Sequence, residues 1–534
     1  LLSFATNPSS VVGTARIAAI PNGSTILGTV TQQRYFPGKN AYRYISSPIK
    51  DATLQTIRNN TFVFNFASNT INGFDLATNN FPTIYWYVET APGMQDVGWR
   101  YYRSVTGILE VGRGYYSLIL GDRTQESSLG STSSRVASTP VTLEFRGQPN
   151  IGTINLPVTY TASVATADGW NLVGNPYPSQ IDWNSGTGWS KNDLEPNIWI
   201  YDPETSNTNV TTGTGSFFTY NANTGISTPS RPNPNIIAST QGFFVRATAA
   251  GVSLTINENA KIADNHFGYF RNEAQADNIR IELLRTTGEK DETVVAIRSN
   301  AVNEFNSFHD ASKMMNAGIS VYSFTKDGKS VAINAINGDT SFNQIPLAFS
   351  AQPGSYKLKV YSTAANRKVS VLDKVTGNIS EINGEDELSF TTATASATNR
   401  FVLLIDNKAV AVEENQNTIA GIAAVNSIVG TDIISQQETE NNITSTKAKV
   451  NTSVDAYPNP TEGNDLKLQL LSAKNESIAI SVFDIQGTFV KKYSFAVTEG
   501  ENLFVIPSSD FGSGSYILQL SGSDWSKVVK LVKQ

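Results

Sequence analysis

The sequence predicts an all-β protein in which several antiparallel β-sandwich modules follow one another along the chain. Three observations support this: short segments alternate apolar and polar residues, Gly, Asn and Pro separate them, and helical periodicity is nearly absent. Residues 61–66, 141–145 and 252–256 show the alternation most clearly. The pattern is typical of half-buried antiparallel strands, so we expect sandwiches rather than helical layers.

The composition supports a folded, multidomain chain. The 534 residues include only 16% charged and 10% aromatic residues, and this length predicts three to five domains. The net charge of −6, without a basic stripe, argues against nucleic acid as a partner. The absence of cysteine excludes disulfides, thiolate nucleophiles and zinc–thiolate sites.

The first residues do not have the pattern of a signal peptide. Leu1 to Phe4 contain no Met and no basic region before an apolar stretch. We therefore expect the chain to begin inside a longer protein, or at a processed N-terminus.

An internal resemblance lies in the first half. Residues 42–48 resemble 169–176, and 112–118 resemble 240–246. In both copies 66 positions separate a proline from a glycine: Pro48 from Gly114, and Pro176 from Gly242. The repeat predicts two related β units, residues 1–160 and 161–265, with a single composite sandwich as the alternative.

Residues 266–407 predict a third sandwich. Its clearest strands are 279–283, 293–297, 356–360 and 400–404, and Asp-Gly and Asn-Gly turns lie between strands. Residues 310–315 predict one short helix with Asp310 as its N-cap.

Residues 408–452 have the polar, aromatic-poor composition of a linker, although 419–429 are more apolar. After the linker, 453–534 predict a small antiparallel sandwich of about seven strands. It begins at a Tyr-Pro-Asn-Pro motif, turns at Val-Phe-Asp-Ile-Gln-Gly, continues through a Gly-Ser-Tyr-Ile-Leu strand and ends in a basic strand. The marker residues of these motifs are Tyr457, Pro458, Asn459, Pro460, Asp484, Gly487, Gly514, Tyr516, Lys530 and Lys533.

These motifs, in this order, resemble the type A sorting domain of the Bacteroidetes type IX secretion system. The resemblance implies an Ig-like sandwich that the outer-membrane translocon and its shuttle barrel recognise. It also implies Sec export through the periplasm, followed by anchoring at the cell surface or release, with the linker as the candidate cleavage region. We expect Lys530, Lys533 and the exposed edge of the last strand to offer charge and unpaired backbone groups.

The upstream body resembles, more loosely, regions that precede this domain in large Bacteroidetes surface proteins. The matching segments are 169–178, 241–245, 310–313 and 400–403. Such regions often end giant adhesins, including those used in gliding motility.

The body offers few residues for catalysis. His266 and His309 are the only histidines, and no nucleophile elbow, zinc-protease motif, P-loop or regular calcium loop accompanies them. We therefore assign no catalytic residue, no metal site and no cofactor. A structural calcium ion bound by scattered Asp and Asn oxygens stays open.

An aromatic cluster around Asp182 is the candidate glycan site. Trp170, Tyr177, Trp183 and Trp199 could stack on sugars, while Asp182, Glu195 and Asp202 could supply a carboxylate pair for glycoside hydrolysis. The favoured alternative is that these aromatic side chains fill the sandwich core.

The expected function is that of an exported surface protein, the C-terminal part of an adhesin or stalk rather than an enzyme. The alternative is a carbohydrate-binding region of a secreted polysaccharide-active enzyme, with surface glycans as partners.

Overall fold

The computed structural model is almost entirely β, which confirms the predicted fold class. Two compact units, Leu1–Val429 and Gly430–Gln534, make up the chain. Among the described residues, the structure contains no helix with the length and hydrophobicity that a membrane span requires. The described residues are 3–4, 16–38, 41–65, 72–75, 81–91, 98–124, 139–162, 169–203, 215–262, 277–316, 318–338, 343–364, 367–393, 396–407, 453–457, 466–472, 474–484, 489–498, 500–507, 514–521 and 526–533.

The first part of the chain forms two sheets and a short helix. One sheet has the strand order β1-β2-β7, and the other has the order β3-β6-β4-β5. Helix α1 buries Leu54 and Ile57. The elements are β1 Ser3–Phe4, β2 Val30–Phe36, β3 Ala41–Ile45, α1 Leu54–Arg58, β4 Ile84–Tyr87, β5 Trp99–Tyr101, β6 Tyr115–Ile119, β7 Val141–Gly147 and β8 Ile154–Leu156.

The second part contributes a five-stranded sheet, β14-β13-β12-β16-β9, a sheet β11-β17-β8 and the pair β10-β15. Strand β8 thus joins a sheet with later strands, which ties the end of the first part to the second. The elements are β9 Trp170–Gly174, β10 Ile181–Asp182, β11 Trp189–Asn192, β12 Asn197–Asp202, β13 Ser216–Asn221, β14 Ser227–Thr228, β15 Ile236–Ile237, β16 Gly242–Arg246 and β17 Ser253–Ile256.

The two copies of the sequence repeat have the same strand pairing. In the first copy, β3 pairs antiparallel with β6 and places Tyr44 opposite Tyr116. In the second, β9 pairs antiparallel with β16 and places Leu172 opposite Phe244. These positions correspond in the sequence repeat, so the register is preserved. A further strand, β4 or β12, flanks each pair on the β6 or β16 side.

The two copies also bond to each other. Isolated β-bridges join Ile45 to Gln241 and Arg113 to Val173. In the sequence repeat, Ile45 corresponds to Val173 and Arg113 corresponds to Gln241, so the two bridges are equivalent. Three backbone hydrogen bonds cross the junction: Gly114 N to Leu172 O (3.1 Å), Gly174 N to Gly112 O (2.9 Å) and Ser46 N to Thr240 O (3.0 Å). The arrangement is that of a local pseudo-twofold axis between the copies, and we call it the interlock.

Glycine is required at the interlock because the backbones approach too closely for a side chain. A Cβ atom on Gly114 would lie 2.5 Å from the carbonyl oxygen of Val173. A Cβ atom on Gly174 would lie 2.8 Å from the carbonyl oxygen of Arg113 and 2.2 Å from the Cβ of Ser46. Backbone atoms cannot rotate away, so these contacts restrict both positions to glycine.

Residues 278–407 form an eleven-stranded sheet ordered β26-β25-β28-β23-β21-β22-β19-β18-β24-β27, with β20 paired to β22. Strands from both ends of this order contribute to one buried core, so the sheet encloses it. The elements are β18 Asn278–Arg285, β19 Lys290–Ile297, β20 Ala311–Ser312, β21 Ser320–Phe324, β22 Ser330–Ile336, β23 Gln344–Ser350, β24 Gly354–Ser362, β25 Arg367–Asp373, β26 Asn378–Ile382, β27 Glu385–Thr392 and β28 Ser396–Asn407.

The predicted helix at 310–315 is wrong. Residues Ala311–Ser312 form β20 instead. The Asp310 carboxylate does not cap a helix; it accepts hydrogen bonds from the backbone N–H groups of Asn306 and Ala335, both at 2.7 Å. Tertiary pairing therefore overrode a weak local helix signal.

The unit Gly430–Gln534 has two sheets, β29-β30-β33 and β32-β31-β34-β35. Their buried residues, which include Leu468, Ile480 and Leu518, form one core. The described part of this unit thus contains seven strands, while its Ig-like relationship stays a prediction. The predicted linker, 408–452, lies outside the described residues, and the module boundaries at 160, 265 and 452 stay predictions. The strands are β29 Ser453–Tyr457, β30 Leu466–Ser472, β31 Glu476–Asp484, β32 Phe489–Val497, β33 Gly500–Ile506, β34 Gly514–Ser521 and β35 Ser526–Lys533.

Gly114→Ala is predicted to destabilise the body by about 1–3 kcal/mol, the usual cost of forcing an extra methyl into a packed site. The methyl would meet the Val173 carbonyl. Chemical denaturation of the full chain measures the loss. Gly186→Ala is the matched control, because no atom lies within 4 Å of the added Cβ. Equal stabilities of the two variants would contradict the requirement for glycine at the interlock.

Candidate functional site

The four aromatic residues of the predicted glycan site are buried. Trp183, Trp199 and Tyr177 are each 0% exposed and Trp170 is 5% exposed. The rings of Trp170 and Trp199 pack edge to face with centroids 4.6 Å apart. Core packing therefore accounts for these side chains, and none of them offers a free face on which a sugar could stack.

The polar atoms of these residues are also committed to internal bonds. Trp183 Nε1 donates to the carbonyl oxygen of Pro196 at 2.9 Å. The half-buried Asp182 carboxylate accepts from the backbone N–H of Asn184 at 2.8 Å and from Asn235 Nδ2 at 2.6 Å. Asp182 thus organises its own loop.

The other candidate carboxylates have structural partners. Glu195 is buried, lies 3.4 Å from Arg246 and accepts a hydrogen bond from Asn197 Nδ2 at 3.2 Å. Asp202 pairs with Arg231. The candidate acids lie near tryptophans in the sequence, but in the structure they make ion pairs and hydrogen bonds within loops.

The segment 306–316 joins the second β unit to the eleven-stranded sheet. The carbonyl oxygen of Asp310 accepts from Asn197 Nδ2 at 2.9 Å and from Asn221 Nδ2 at 3.1 Å. Trp199 Nε1 donates to the carbonyl oxygen of Ser312 at 3.0 Å. Buried side-chain donors thus satisfy the backbone of this segment, which makes the junction costly to open.

The junction contains carboxyl groups with perturbed acidity. Burial raises the pKa of Asp310 to about 7, against the lowering effect of its two backbone donors. Burial likewise raises the pKa of Glu195, which Arg246 partly offsets. Burial lowers the pKa of His309, whose Nδ1 has no hydrogen-bond partner among the described residues. His266 lies outside the described residues.

An open cleft of about 510 Å³ lies beside the interlock, at residues that the sequence did not indicate. Trp86 and Tyr102 are half-buried, with ring centroids 4.6 Å apart at 52°. The aromatic run Tyr85-Trp86-Tyr87 is the only signal that could have drawn attention to it. The lining residues are Trp86, Tyr102, Thr106, Gly107, Ile108, Glu110 and Arg113.

Among the described residues, no group of three or more His, Asp or Glu side chains is arranged so that it could hold a metal ion. The structural calcium ion stays a prediction.

The predicted secretion-signal residues lie partly within the described strands. The register of β31, β34 and β35 places Asp484 opposite Tyr516 and Gly514 opposite Lys533. Lys530 lies opposite Ile517 in the same ladder. The four-stranded sheet therefore gathers these positions toward one end. Tyr457 ends β29, and Pro458, Asn459, Pro460 and Gly487 lie outside the described residues.

Two family models match the chain. Residues 13–405 match a model described as "Domain of unknown function (DUF8693)". Residues 455–534 match a model described as "Secretion system C-terminal sorting domain". The second match confirms the resemblance to type IX secretion substrates. A search of curated proteins gives no match.

Solved structures show only distant similarity. A β-glucuronidase from Faecalibacterium prausnitzii is 12% identical with a TM-score of 0.14, over 49% of this chain and 47% of that chain. Latent PorU from Porphyromonas gingivalis is 9% identical with a TM-score of 0.16, over 52% of this chain and 31% of that chain. The chain thus spans less than half the length of either protein, and such scores carry no functional argument.

Asp310→Asn is predicted to change how stability depends on pH. The folded-state pKa of about 7 exceeds the ordinary Asp value, so protonation favours the fold. The contribution of Asp310 to the free energy of unfolding is therefore greatest below about pH 4 and is lost as pH rises to about 7. Asparagine lowers the free energy of unfolding by an amount that does not depend on pH, and it removes the titrating group. As pH rises from about 4 to about 7, the free energy of unfolding of the variant should therefore increase by about 2–4 kcal/mol relative to that of wild type.

Denaturation curves of the full chain between pH 4 and 8 measure this difference. Asp406→Asn is the control, since Asp406 is exposed. Curves for wild type and Asp310→Asn that run parallel across the range would refute the assignment.

Proposed function

We propose that this chain, which belongs to the family described as a domain of unknown function (DUF8693), is the C-terminal part of an adhesin or stalk at the bacterial surface. The observation that carries the proposal is the sorting domain at residues 455–534. It makes the chain a type IX secretion substrate that is exported to the cell surface or released. The adhesin or stalk role, including one in gliding, is the further step.

The architecture of the body supports a mechanical role. Backbone bonds of the interlock join the two β units, and the segment 306–316 joins the second unit to the eleven-stranded sheet. Aromatic residues of both units and apolar residues of β19, β20 and β22 share one core. A body whose modules share a core and are joined by backbone and side-chain hydrogen bonds suits a stalk that presents another region.

Recognition by the outer-membrane translocon and its shuttle barrel is the proposed partner interaction. Strand β35 pairs along its described length with β34 and is the outermost strand of its sheet. An outermost strand offers one row of backbone N–H and C=O groups to a partner. Lys530 and Lys533 lie on this strand.

A non-catalytic role is part of the proposal. Asp182, Glu195 and Asp202 each serve a loop bond or ion pair, which supports a structural interpretation of these acids. The alternative, a carbohydrate-binding region of a polysaccharide-active enzyme that uses the aromatic cluster around Asp182, stays a prediction. Hydrolysis of a polysaccharide by the full chain, abolished in Asp182→Asn, would overturn the non-catalytic proposal.

Deleting Ser526–Gln534 is predicted to retain the protein in the periplasm. The deletion removes β35 and leaves β34 with an unpaired edge, so the surface read by the translocon is lost. The full chain, fused to a Sec signal peptide and an epitope tag, is expressed in a type IX-competent bacterium. Protease accessibility on intact cells and fractionation of periplasm and medium measure the location.

Two comparisons make this test specific. The intact chain in a strain that lacks the translocon should also stay in the periplasm, and the Gly186→Ala chain should reach the surface as wild type does. Surface display of the truncated chain at the wild-type level would contradict the proposed role of the terminal strand.

A further inference from the structure

The cleft lined by Trp86, Tyr102, Glu110 and Arg113 combines a rigid aromatic wall with a polar pair, of which Glu110 is exposed and Arg113 is half-buried. Its volume of about 510 Å³ is within the usual range for sites that bind small molecules. It opens to solvent on one side, and Ile108 at its margin is 58% exposed. The size fits one or two sugar rings.

The aromatic wall is fixed in place. Tyr102 donates its hydroxyl to the carbonyl oxygen of Ile108 at 2.6 Å and lies 3.3 Å from the hydroxyl of Tyr115. A Cβ atom on Gly107 would lie 2.3 Å from the Tyr102 ring, so glycine here makes room for that ring. With its hydroxyl used internally, Tyr102 presents only ring surface to the cleft. Such a wall loses little conformational entropy when a ligand binds.

The polar pair is oriented before any ligand arrives. Arg113 donates from Nε and Nη2 to the same oxygen, Oε2 of Glu110, at 2.7 and 2.6 Å. Among the described residues, no partner lies on Glu110 Oε1 or on Arg113 Nη1. The cleft therefore offers an acceptor on Glu110, whose side chain is 60% exposed, beside a donor on Arg113, whose side chain is 21% exposed.

The ligand class follows from this combination. A hexopyranose has one apolar face of C–H groups and a rim of hydroxyls that both donate and accept hydrogen bonds. The opposite charges of Glu110 and Arg113 balance, which favours an uncharged ligand over a phosphate or a carboxylate. We propose that this cleft binds a neutral hexopyranose unit of a surface glycan, with the ring on Trp86 and Tyr102 and adjacent hydroxyls on Glu110 and Arg113.

Binding of simple sugars to the full chain tests the proposal. The probes are methyl glycosides of glucose, mannose, galactose and N-acetylglucosamine, and the disaccharides cellobiose, mannobiose and chitobiose, at millimolar concentrations. Saturation-transfer NMR and tryptophan fluorescence report binding. We expect at least one probe to bind, and Trp86→Ala and Glu110→Ala each to weaken it about tenfold or more. Trp86→Phe should retain part of the affinity, since it keeps an aromatic face.

The control variant is Trp189→Ala, which removes a partly buried tryptophan beside Asp182. It should bind as wild type does. If Trp86→Ala fails to fold, Glu110→Ala still decides, because that side chain is exposed. The proposal is overturned if no probe binds, if binding survives both cleft variants, or if only Trp189→Ala abolishes it. Export is measured independently by cell fractionation, so failure here leaves the proposed secretion route unaffected.

Discussion

The close backbone approach at Gly114 and Gly174 is the constraint on which the body depends. It lets two β units exchange backbone hydrogen bonds directly, without intervening side chains. Once the units are joined in this way, aromatic residues from both sides, such as Tyr44 and Trp199, pack in one core with Val294 of the eleven-stranded sheet. The cleft lies on the same scaffold, because Arg113 takes part in a bridge of the interlock and in the cleft wall.

The sequence repeat predicted that the two β units share their strand register as well as their local sequence. Equal spacing between Pro48 and Gly114 and between Pro176 and Gly242 preserves strand register, because a one-residue slip would turn every side chain to the opposite face. The order of motifs in 453–534 was equally informative, since four local signals agree there. Local signal failed at 310–315, where propensity favoured a helix but pairing with β22 formed a strand.

The site was harder to predict than the fold. The clustering of Trp170, Trp183 and Trp199 in the sequence predicted a sugar-binding surface. Sequence clustering does not determine whether an aromatic ring lies in the core or on the surface. The cleft instead needs Trp86 from one strand and Tyr102 and Glu110 from a turn region, and only the tertiary structure brings them together. The raised pKa of Asp310 has the same origin, because its cause is burial at a junction between modules.

Native-state hydrogen exchange of the full chain tests most directly whether the β units form one cooperative body. Peptic fragments that cover 44–48, 112–116 and 172–176 contain the donor amides of the interlock, those of Ser46, Gly114 and Gly174. If the account is correct, these three fragments exchange slowly and together, with the free energy of global unfolding of the body. Faster exchange of the interlock than of the strands β6 and β16 on either side would show that the units open independently and would contradict it.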